Sequence, residues 1–293
     1  MKKLKNIIIL ARPHQYVKNL FIFLPLFFVG QMNNIDLFYN AFIAFLSFSF
    51  CASAVYILND YLDVELDKLH PKKKYRPLAS GLISKIESFV LIGVFTIVGL
   101  LMISSISLEA IIILLGYIFL NIAYCFYLKH IVILDVVIIS IGFILRIILG
   151  SFVTGIPLSM WIVIMTFLLA LFLALAKRRD DVVQFLNSGK VMRKVIVDYN
   201  LKFIDSAMST FASVIIVSYI LYTTSSENYE RFNSEYLYMT TFFVILGILR
   251  YFHITFVKNQ SGSPTKVLLK DKFTAINIIF WILSYTYLLY ING

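Results

Sequence analysis

The 293-residue chain is too apolar for a soluble domain, because 60% of its residues are hydrophobic, 16% are aromatic and only 14% are charged. Long apolar runs such as residues 38–58 and 131–149 can each cross a hydrocarbon core of about 30 Å as a helix. They lack the alternation expected of barrel strands. The net charge of +10 could indicate nucleic acid, but basic loops of a membrane protein explain it better, so we expect no nucleic-acid partner.

Apolar runs between polar breaks predict an all-α, polytopic membrane protein of about nine transmembrane helices. They lie near residues 19–32, 38–58, 88–105, 108–128, 131–150, 158–176, 207–224, 237–257 and 273–291. Pro25 interrupts the first, whose apolar length is marginal for a span.

The basic residues predict how these helices are oriented. With nine spans, 23 of the 26 basic residues fall on one side of the membrane, and Arg231 is the basic residue in the opposite loops. Positively charged loops stay in the cytoplasm. We therefore expect a plasma-membrane protein with a cytoplasmic N-terminus and an external C-terminus.

The polar segments predict a single transmembrane catalytic domain over residues 1–293. Residues 1–18 mix basic and apolar side chains, which fits a helix lying on the membrane surface or, equally, a frayed basic tail. The segments 59–87 and 177–206 are the largest between spans. We expect them to be cytoplasmic active-site loops.

The end of the second span carries the strongest chemical pattern. Four acids lie within the eight residues from Asp60 to Asp67, beside Asn59. On a continuing helix, Asn59, Asp63 and Asp67 share one face at spacings of four. Magnesium relieves the repulsion, because it takes a few carboxylates together with water and phosphate oxygens. The alternative is a solvated acidic helix end that nearby lysines balance.

This acidic face resembles the signature of UbiA-type intramembrane prenyltransferases, namely Asn59-Asp60-x-x-Asp63-x-x-x-Asp67 followed by Arg76-Pro77-Leu78-Ala79-Ser80-Gly81. The resemblance implies nine helices around a cavity that opens to the cytoplasm, and magnesium bound with a diphosphate by Asp60, Asp63 and Asp67. Further segments resemble the decaprenyl-phosphate phosphoribosyltransferase branch of the family. They are Arg12-Pro13-x-Gln15-Tyr16-Val17-Lys18-Asn19, Leu128-Lys129-His130 to Asp135, Gly142-Phe143-x-Leu145-Arg146 and Leu171 to Arg179.

A second acidic motif is incomplete. Aromatic prenyltransferases of the family typically carry DxxxD in the sixth loop, whereas this chain has Gln184 four residues after Asp180. This departure from the pattern counts against a second magnesium clamp for a prenyl diphosphate. The basic residues Lys177, Arg178 and Arg179 offer phosphate neutralisation instead.

Basic, phenolic and acidic side chains near the predicted cavity complete the candidate site. The candidates for substrate binding are Lys18, Asn19, Asn59, Arg76, Tyr124, Lys129, Asp135, Lys177, Arg178 and Asp205. Asp205 belongs to a helical face with Lys194, Asp198 and Lys202, which an ordinary salt-bridged surface would explain equally well. Arg146 either faces the cavity or extends to the external membrane surface.

The resemblance implies transfer of 5-phosphoribose from phosphoribosyl diphosphate to a polyprenyl phosphate, with Mg²⁺ as cofactor. The expected partners are these two substrates and the membrane, and a homo-oligomer is left open. The rival enzyme reaction moves a prenyl group from prenyl diphosphate to an aromatic or other lipid-precursor acceptor. A transporter would place acids near the bilayer midplane in inverted repeats, which the sequence lacks.

Overall fold

A computed structural model describes residues 2–69, 73–189, 194–226 and 235–291. These residues form helices and connecting turns, with no strand in the described ranges. Eight helical segments there have the length and apolar composition to cross a membrane. The prediction of an all-α membrane protein is thereby confirmed.

The helices group into two compact units, the first of which comprises residues 1–138 and 142–158. Its elements are α1 (Lys2–Ala11), a 3-10 helix (Pro13–Phe23), α2 (Leu24–Val29), α3 (Ile35–Leu62), α4 (Val64–Leu69), a 3-10 helix (Lys73–Tyr75), α5 (Lys85–Ser104), α6 (Leu108–Phe126), a 3-10 helix (Leu128–His130) and α7 (Leu134–Thr154).

The second unit comprises residues 159–293 and the three α7 residues 139–141. Its elements are α8 (Met160–Ser188), a 3-10 helix (Lys194–Asp198), α9 (Leu201–Thr223), a 3-10 helix (Glu235–Thr240), α10 (Thr241–Phe252), a π-helix (His253–Val257), α11 (Pro264–Lys270) and α12 (Lys272–Ile291). A single catalytic domain remains a prediction.

The first predicted span, residues 19–32, is not one long helix. The chain forms a 3-10 helix up to Phe23 and then the six-residue α2, whose second residue is Pro25. Proline has no N–H for the ladder and is tolerated in the first turn, so a helix restarts there rather than running through. Gly30 ends α2 in the left-handed conformation, with φ 75°.

Helix α3 is the centre of the first unit and packs along α5. Small residues allow close approach, because a Cβ at Gly99 would lie 2.5 Å from the Cys51 sulfur. The Ser47 hydroxyl donates to the Gly99 carbonyl, which gives the buried hydroxyl a partner inside the membrane-spanning region. This packing fixes the end of α3, where the acidic residues lie.

Two helices are longer than a membrane crossing requires. Helix α3 has 28 residues and α8 has 29, which at 1.5 Å per residue is about 42 Å against a hydrocarbon core of about 30 Å. Their C-terminal turns carry Asp60 in α3 and the segment Lys177–Asp181 in α8. Part of what the sequence indicated as loop is therefore continued helix.

Candidate active site

The predicted acidic face forms a cluster at the end of α3, and we call Asn59, Asp60, Asp63 and Asp67 the acidic cluster. The helix does not continue unbroken, because α3 ends at Leu62 and Asp63 adopts φ −93° and ψ 4° before α4 begins. The hydrogen bonds from the Asp63 N–H to Asn59 and from the Asp67 N–H to Asp63 nevertheless keep the four-residue register. The side chains thus remain near one another despite the break.

Asp60 is 2% exposed and faces two guanidinium groups. Arg12 Nη2 lies 2.5 Å and Arg76 Nη1 2.8 Å from Asp60 Oδ1. Arg12 has a left-handed backbone, with φ 55°, between α1 and the following 3-10 helix. That conformation costs roughly 1–2 kcal/mol for a non-glycine residue. The ion pair and the stacking of Arg12 over the Tyr56 ring offset this cost.

Arg76 joins Asp60 to Asp67 through a single nitrogen atom. Its Nη1 donates to Asp60 Oδ1 at 2.8 Å and to Asp67 Oδ2 at 2.6 Å, and Asp67 is 3% exposed. Two features of the turn hold Arg76 there. Leu78 is buried among Leu10, Ile57, Val64 and Ile83, and Gly81 turns the chain with φ 75°. The motif from Arg76 to Gly81 thus fixes a guanidinium between two buried carboxylates.

Asp63 has a different set of partners. Asn59 Nδ2 donates to Asp63 Oδ2 at 3.1 Å, and Lys129 Nζ donates to Asp63 Oδ1 at 2.8 Å. Lys129 belongs to the short 3-10 helix after α6, and its side chain is 12% exposed. The structure therefore brings the predicted residues Asn59, Asp63 and Lys129 together, although 66 positions separate Lys129 from Asp63.

Two carboxylates of the acidic cluster, Asp60 and Asp67, are of the ligand type that fits magnesium. Asp60 and Asp67 direct one oxygen each to the same Arg76 nitrogen, so they already share one positive charge between them. Carboxylate oxygens are the ligands that Mg²⁺ prefers, with water and phosphate oxygens completing its shell. No group of three or more His, Cys, Asp or Glu side chains suited to a metal occurs within the described ranges. Asp60 and Asp67 would hold the ion once Arg76 moves away from them, and the expected role of Asp63 as a third ligand stays a prediction.

Several predicted substrate residues of the first unit lie within its packed interior. Asn19 is 1% exposed, donates to Ser49 and accepts from Arg146 Nε at 2.8 Å. The Arg146 guanidinium stacks over the rings of Phe48, Tyr117 and Phe143. Arg146 is thus buried at 4% exposure, and it does not extend outward. Asp135 is fully buried, whereas Lys18 and Tyr124 are half-buried.

The basic triplet of the second unit lies on the last turns of α8. Arg178 is 1% exposed and donates to Asp181 Oδ2 at 3.0 Å, and Lys177 is half-buried. Arg179 donates to Asp205 Oδ1 at 2.8 Å and also to the Thr255 carbonyl and the Asn259 side chain. Asp205 is therefore the partner of a buried arginine. Its role in substrate binding remains a prediction, as do those of Lys177 and Arg178.

Gln184, which stands in place of the second acid of the incomplete motif, contacts Asp180. Its Nε2 donates a hydrogen bond to Asp180 Oδ2 at 2.6 Å, whereas a carboxylate at this position would repel Asp180. Gly262 packs so closely on Asp180 that a Cβ there would overlap the carboxylate. Asp180 is consequently held by an amide and by neighbouring backbone.

Two cations at the acidic cluster, Arg12 and Lys73, were not among the predicted site residues, although Lys73 is one of the nearby lysines expected to balance a solvated acidic helix end. Arg12 pairs with Asp60, and Lys73 Nζ lies 3.9 Å from Asp67 Oδ1. Arg12 stands in the motif that suggested the family resemblance, and this was the available signal. With Arg76 and Lys129, four cations adjoin the three carboxylates. The local charge therefore favours an anionic ligand.

Comparisons with known proteins show the family to which this chain belongs. The sequence model of the UbiA prenyltransferase family matches residues 19–276. A decaprenyl-phosphate phosphoribosyltransferase of Mycolicibacterium smegmatis is 30% identical over 93% of this chain and 88% of its own length. A relative of the same name in Corynebacterium glutamicum is 28% identical over 96% of this chain and 85% of its own. The predicted resemblance to this branch is confirmed.

A solved structure has the same fold. The UbiA homolog from Archaeoglobus fulgidus bound to GPP and Mg²⁺ superposes with a TM-score of 0.72 at 17% identity, covering 97% of this chain and 99% of that one. Its likeness extends over both units described above. The chain is therefore a multi-pass membrane transferase that belongs to the UbiA prenyltransferase family.

Proposed function

We propose that this protein transfers 5-phosphoribose from phosphoribosyl diphosphate to a polyprenyl phosphate, with Mg²⁺, and releases diphosphate. The observation that carries the proposal is the pair of buried carboxylates, Asp60 and Asp67, which share one cation at Arg76. A site that balances acids with exchangeable cations suits a metal-bound diphosphate. The names of the relatives at 27–30% identity support the choice of the transferred phosphoribosyl group and of a polyprenyl phosphate as acceptor.

In this proposal the residues of the acidic cluster have separate tasks. Asp60 and Asp67 hold Mg²⁺, which when bound neutralises charge on the departing diphosphate. Arg12 and Arg76, whose side chains are 21% and 27% exposed, then turn from the carboxylates to the phosphate oxygens of the donor. Arginine suits that task because its planar fork donates two hydrogen bonds to a phosphate.

The reaction needs no general base. An oxygen of the acceptor phosphate, already anionic at neutral pH, attacks the anomeric carbon as the bond from that carbon to diphosphate breaks. Asp63 orients Lys129 through their 2.8 Å ion pair, and Lys129 offsets repulsion between the acceptor and donor anions. Bringing two polyanions together in a water-poor site is the main contribution that these cations make.

The rival reaction, prenyl transfer, uses the same fold and the same first motif. The Archaeoglobus structure that binds GPP and Mg²⁺ keeps this rival open. Gln184 in place of a second acid counts against it here, since Asp180 already accepts a hydrogen bond from that amide. On the positive-inside distribution we further propose that the acidic cluster faces the cytoplasm and that the protein resides in the plasma membrane.

The test is a transfer assay on the purified full-length protein in detergent. Phosphoribosyl diphosphate labelled in the ribose is supplied with polyprenyl phosphate and Mg²⁺, and labelled prenyl diphosphate is supplied with an aromatic acceptor in a parallel reaction. We expect label from the ribose to enter the lipid phase only when Mg²⁺ is present. Consumption of prenyl diphosphate without lipid-linked ribose would overturn the proposal in favour of the rival.

A further inference from the structure

A cleft of about 270 Å³ in the second unit carries three lysines that the proposed reaction does not use. It lies on the segment that joins two candidate spans, Glu235–Val257 and Lys272–Leu289, and hence at a membrane surface. The residues that line it are Ile254, Lys258, Gln260, Ser263, Lys266, Val267, Lys270 and Asp271. We call it the lysine cleft.

The charged residues that line the lysine cleft are mostly positive, with three lysines and one aspartate. Lys258, Lys266 and Lys270 are all exposed, and Lys266 and Lys270 are four residues apart on α11. Like charges at that spacing repel each other unless an anion lies between them. Asp271 cannot balance them fully, because both of its carboxylate oxygens accept hydrogen bonds from Arg250, at 2.6 and 3.1 Å.

The lysine cleft is also held in shape by buried contacts. Arg179 donates to the Thr255 carbonyl and to the Asn259 side chain, and the Ser261 hydroxyl donates to the Ala176 carbonyl. Within the loop, the Gln260 N–H donates to the Ile254 carbonyl and the Lys266 N–H donates to that of Ser263. The lysines therefore project from a fixed loop, which lowers the entropic cost of binding.

The lining combines cations with neutral and apolar groups. Gln260 and Ser263 can donate hydrogen bonds, and Ile254 and Val267, at 4% and 8% exposure, supply apolar surface. Lysine is a strong phosphate binder, and clusters of basic residues beside membrane spans recognise anionic headgroups. We propose that the lysine cleft binds a phosphate group, carried by an anionic phospholipid or free in solution. None of the residues that line the cleft belongs to the acidic cluster.

The experiment compares the full-length protein with Lys266→Gln/Lys270→Gln in a non-ionic detergent at low salt. Dioctanoylphosphatidic acid, dioctanoylglycerol and sodium phosphate are titrated separately and their affinities measured by thermophoresis. Lys272→Gln is the matched control, because Lys272 is exposed, lies next to Asp271 and does not line the cleft. Circular dichroism checks that each variant keeps its helices.

We expect the double variant to bind the phosphate-bearing ligand about fivefold more weakly for each lysine removed, and Lys272→Gln to bind as the parent does. An effect on phosphatidic acid alone identifies a lipid headgroup, and an equal effect on inorganic phosphate identifies a soluble ligand. The proposal is overturned if the double variant binds both ligands as the parent does. An equal loss in Lys272→Gln, or equal binding of dioctanoylglycerol, overturns it as well.

Discussion

Two acid-rich helix ends in this protein use their charges differently. At the end of α3, buried Asp60 and Asp67 are balanced by Arg12 and Arg76, whose side chains remain about a quarter exposed. Near the end of α8, Asp180 accepts a hydrogen bond from Gln184, and the neighbouring Asp181 pairs with Arg178, whose side chain is 1% exposed. The difference between the two ends is the exposure of the counter-ions, because Arg12 and Arg76 are accessible to a ligand whereas Arg178 is buried. For this reason we assign ligand binding to the end of α3 in our proposal and a structural role to the end of α8.

The largest effect should follow from Asp60→Asn or Asp67→Asn. Each change removes a carboxylate that shares the Arg76 cation, so we expect the transfer rate to fall on the order of 100-fold or more. The rate is measured with labelled phosphoribosyl diphosphate at saturating Mg²⁺.

Glu65→Gln is the matched control for these two variants. Glu65 lies in the same acidic stretch, but its side chain is 75% exposed and pairs with Lys68, which lowers the pKa of Glu65. We expect the parent rate. A loss equal to that of Asp60→Asn would mean that general negative charge, rather than the acidic cluster, supports turnover.

The second-largest effect should be a loss of stability when Arg179, on the C-terminal part of α8, is replaced. Arg179→Met removes the donor to Asp205, the Thr255 carbonyl and Asn259. The Thr255 carbonyl is buried and Asp205 is half-buried, so water can replace the lost hydrogen bonds only in part. We therefore expect the free energy of unfolding to drop by about 2 kcal/mol. Thermal unfolding in detergent measures it. Lys202→Met, an exposed cation on the neighbouring helix, should change little, and an equal drop there would contradict a special role for Arg179.

A smaller effect should depend on pH at the Arg250–Asp271 ion pair. Hydrogen bonds from Arg250 lower the pKa of Asp271, so the charged carboxylate stabilises the fold. This stabilisation is complete above the ordinary aspartate pKa of about 3.9 and is lost as pH falls towards the lower folded value. Asp271→Asn keeps an acceptor for the Thr274 N–H. It should cost about 1 kcal/mol at pH 7 and progressively less below pH 4, as measured by thermal unfolding. A cost independent of pH would show that the ion pair contributes nothing.

The smallest effect is expected for Lys74→Ala. Lys74 lies over the Tyr75 ring beside the acidic cluster but forms no ion pair among the described residues. We expect the transfer rate to stay within about twofold of the parent, as for exposed charges outside a site. A tenfold loss would mean that Lys74 also belongs to the cations that we propose to contact the substrates.

The sequence predicted the fold well because membrane-spanning helices follow from local apolar length. Eight of the nine predicted spans appear as long helices. The first does not, because Pro25 and Gly30 divide a segment whose apolar length was marginal. The extension of α8 beyond its apolar run was also not predicted, because hydropathy shows where a helix leaves the lipid and not where its backbone hydrogen bonds end.

The candidate site was predictable in part. Spacing along one helix grouped Asn59, Asp60, Asp63 and Asp67, and the turn after α4 supplied Arg76. Pairing between distant segments could not be read from spacing, as in Lys129 with Asp63 or Arg12 with Asp60. Arg12 itself has a left-handed backbone conformation, which the conformational preferences of arginine do not predict. Asp205 and Arg146 likewise contact residues far away in the sequence, Arg179 and Asn19, which the sequence around them does not indicate.

The most direct test of the account is whether a divalent ion binds where Arg76 joins Asp60 and Asp67. Mn²⁺ replaces Mg²⁺, and electron paramagnetic resonance counts the bound ion in the presence of phosphoribosyl diphosphate. We predict bound Mn²⁺ in the parent and in Glu65→Gln, and its loss in Asp60→Asn/Asp67→Asn. Unchanged Mn²⁺ binding in the double variant, or its loss in Glu65→Gln, would contradict the assignment of the metal to the acidic cluster.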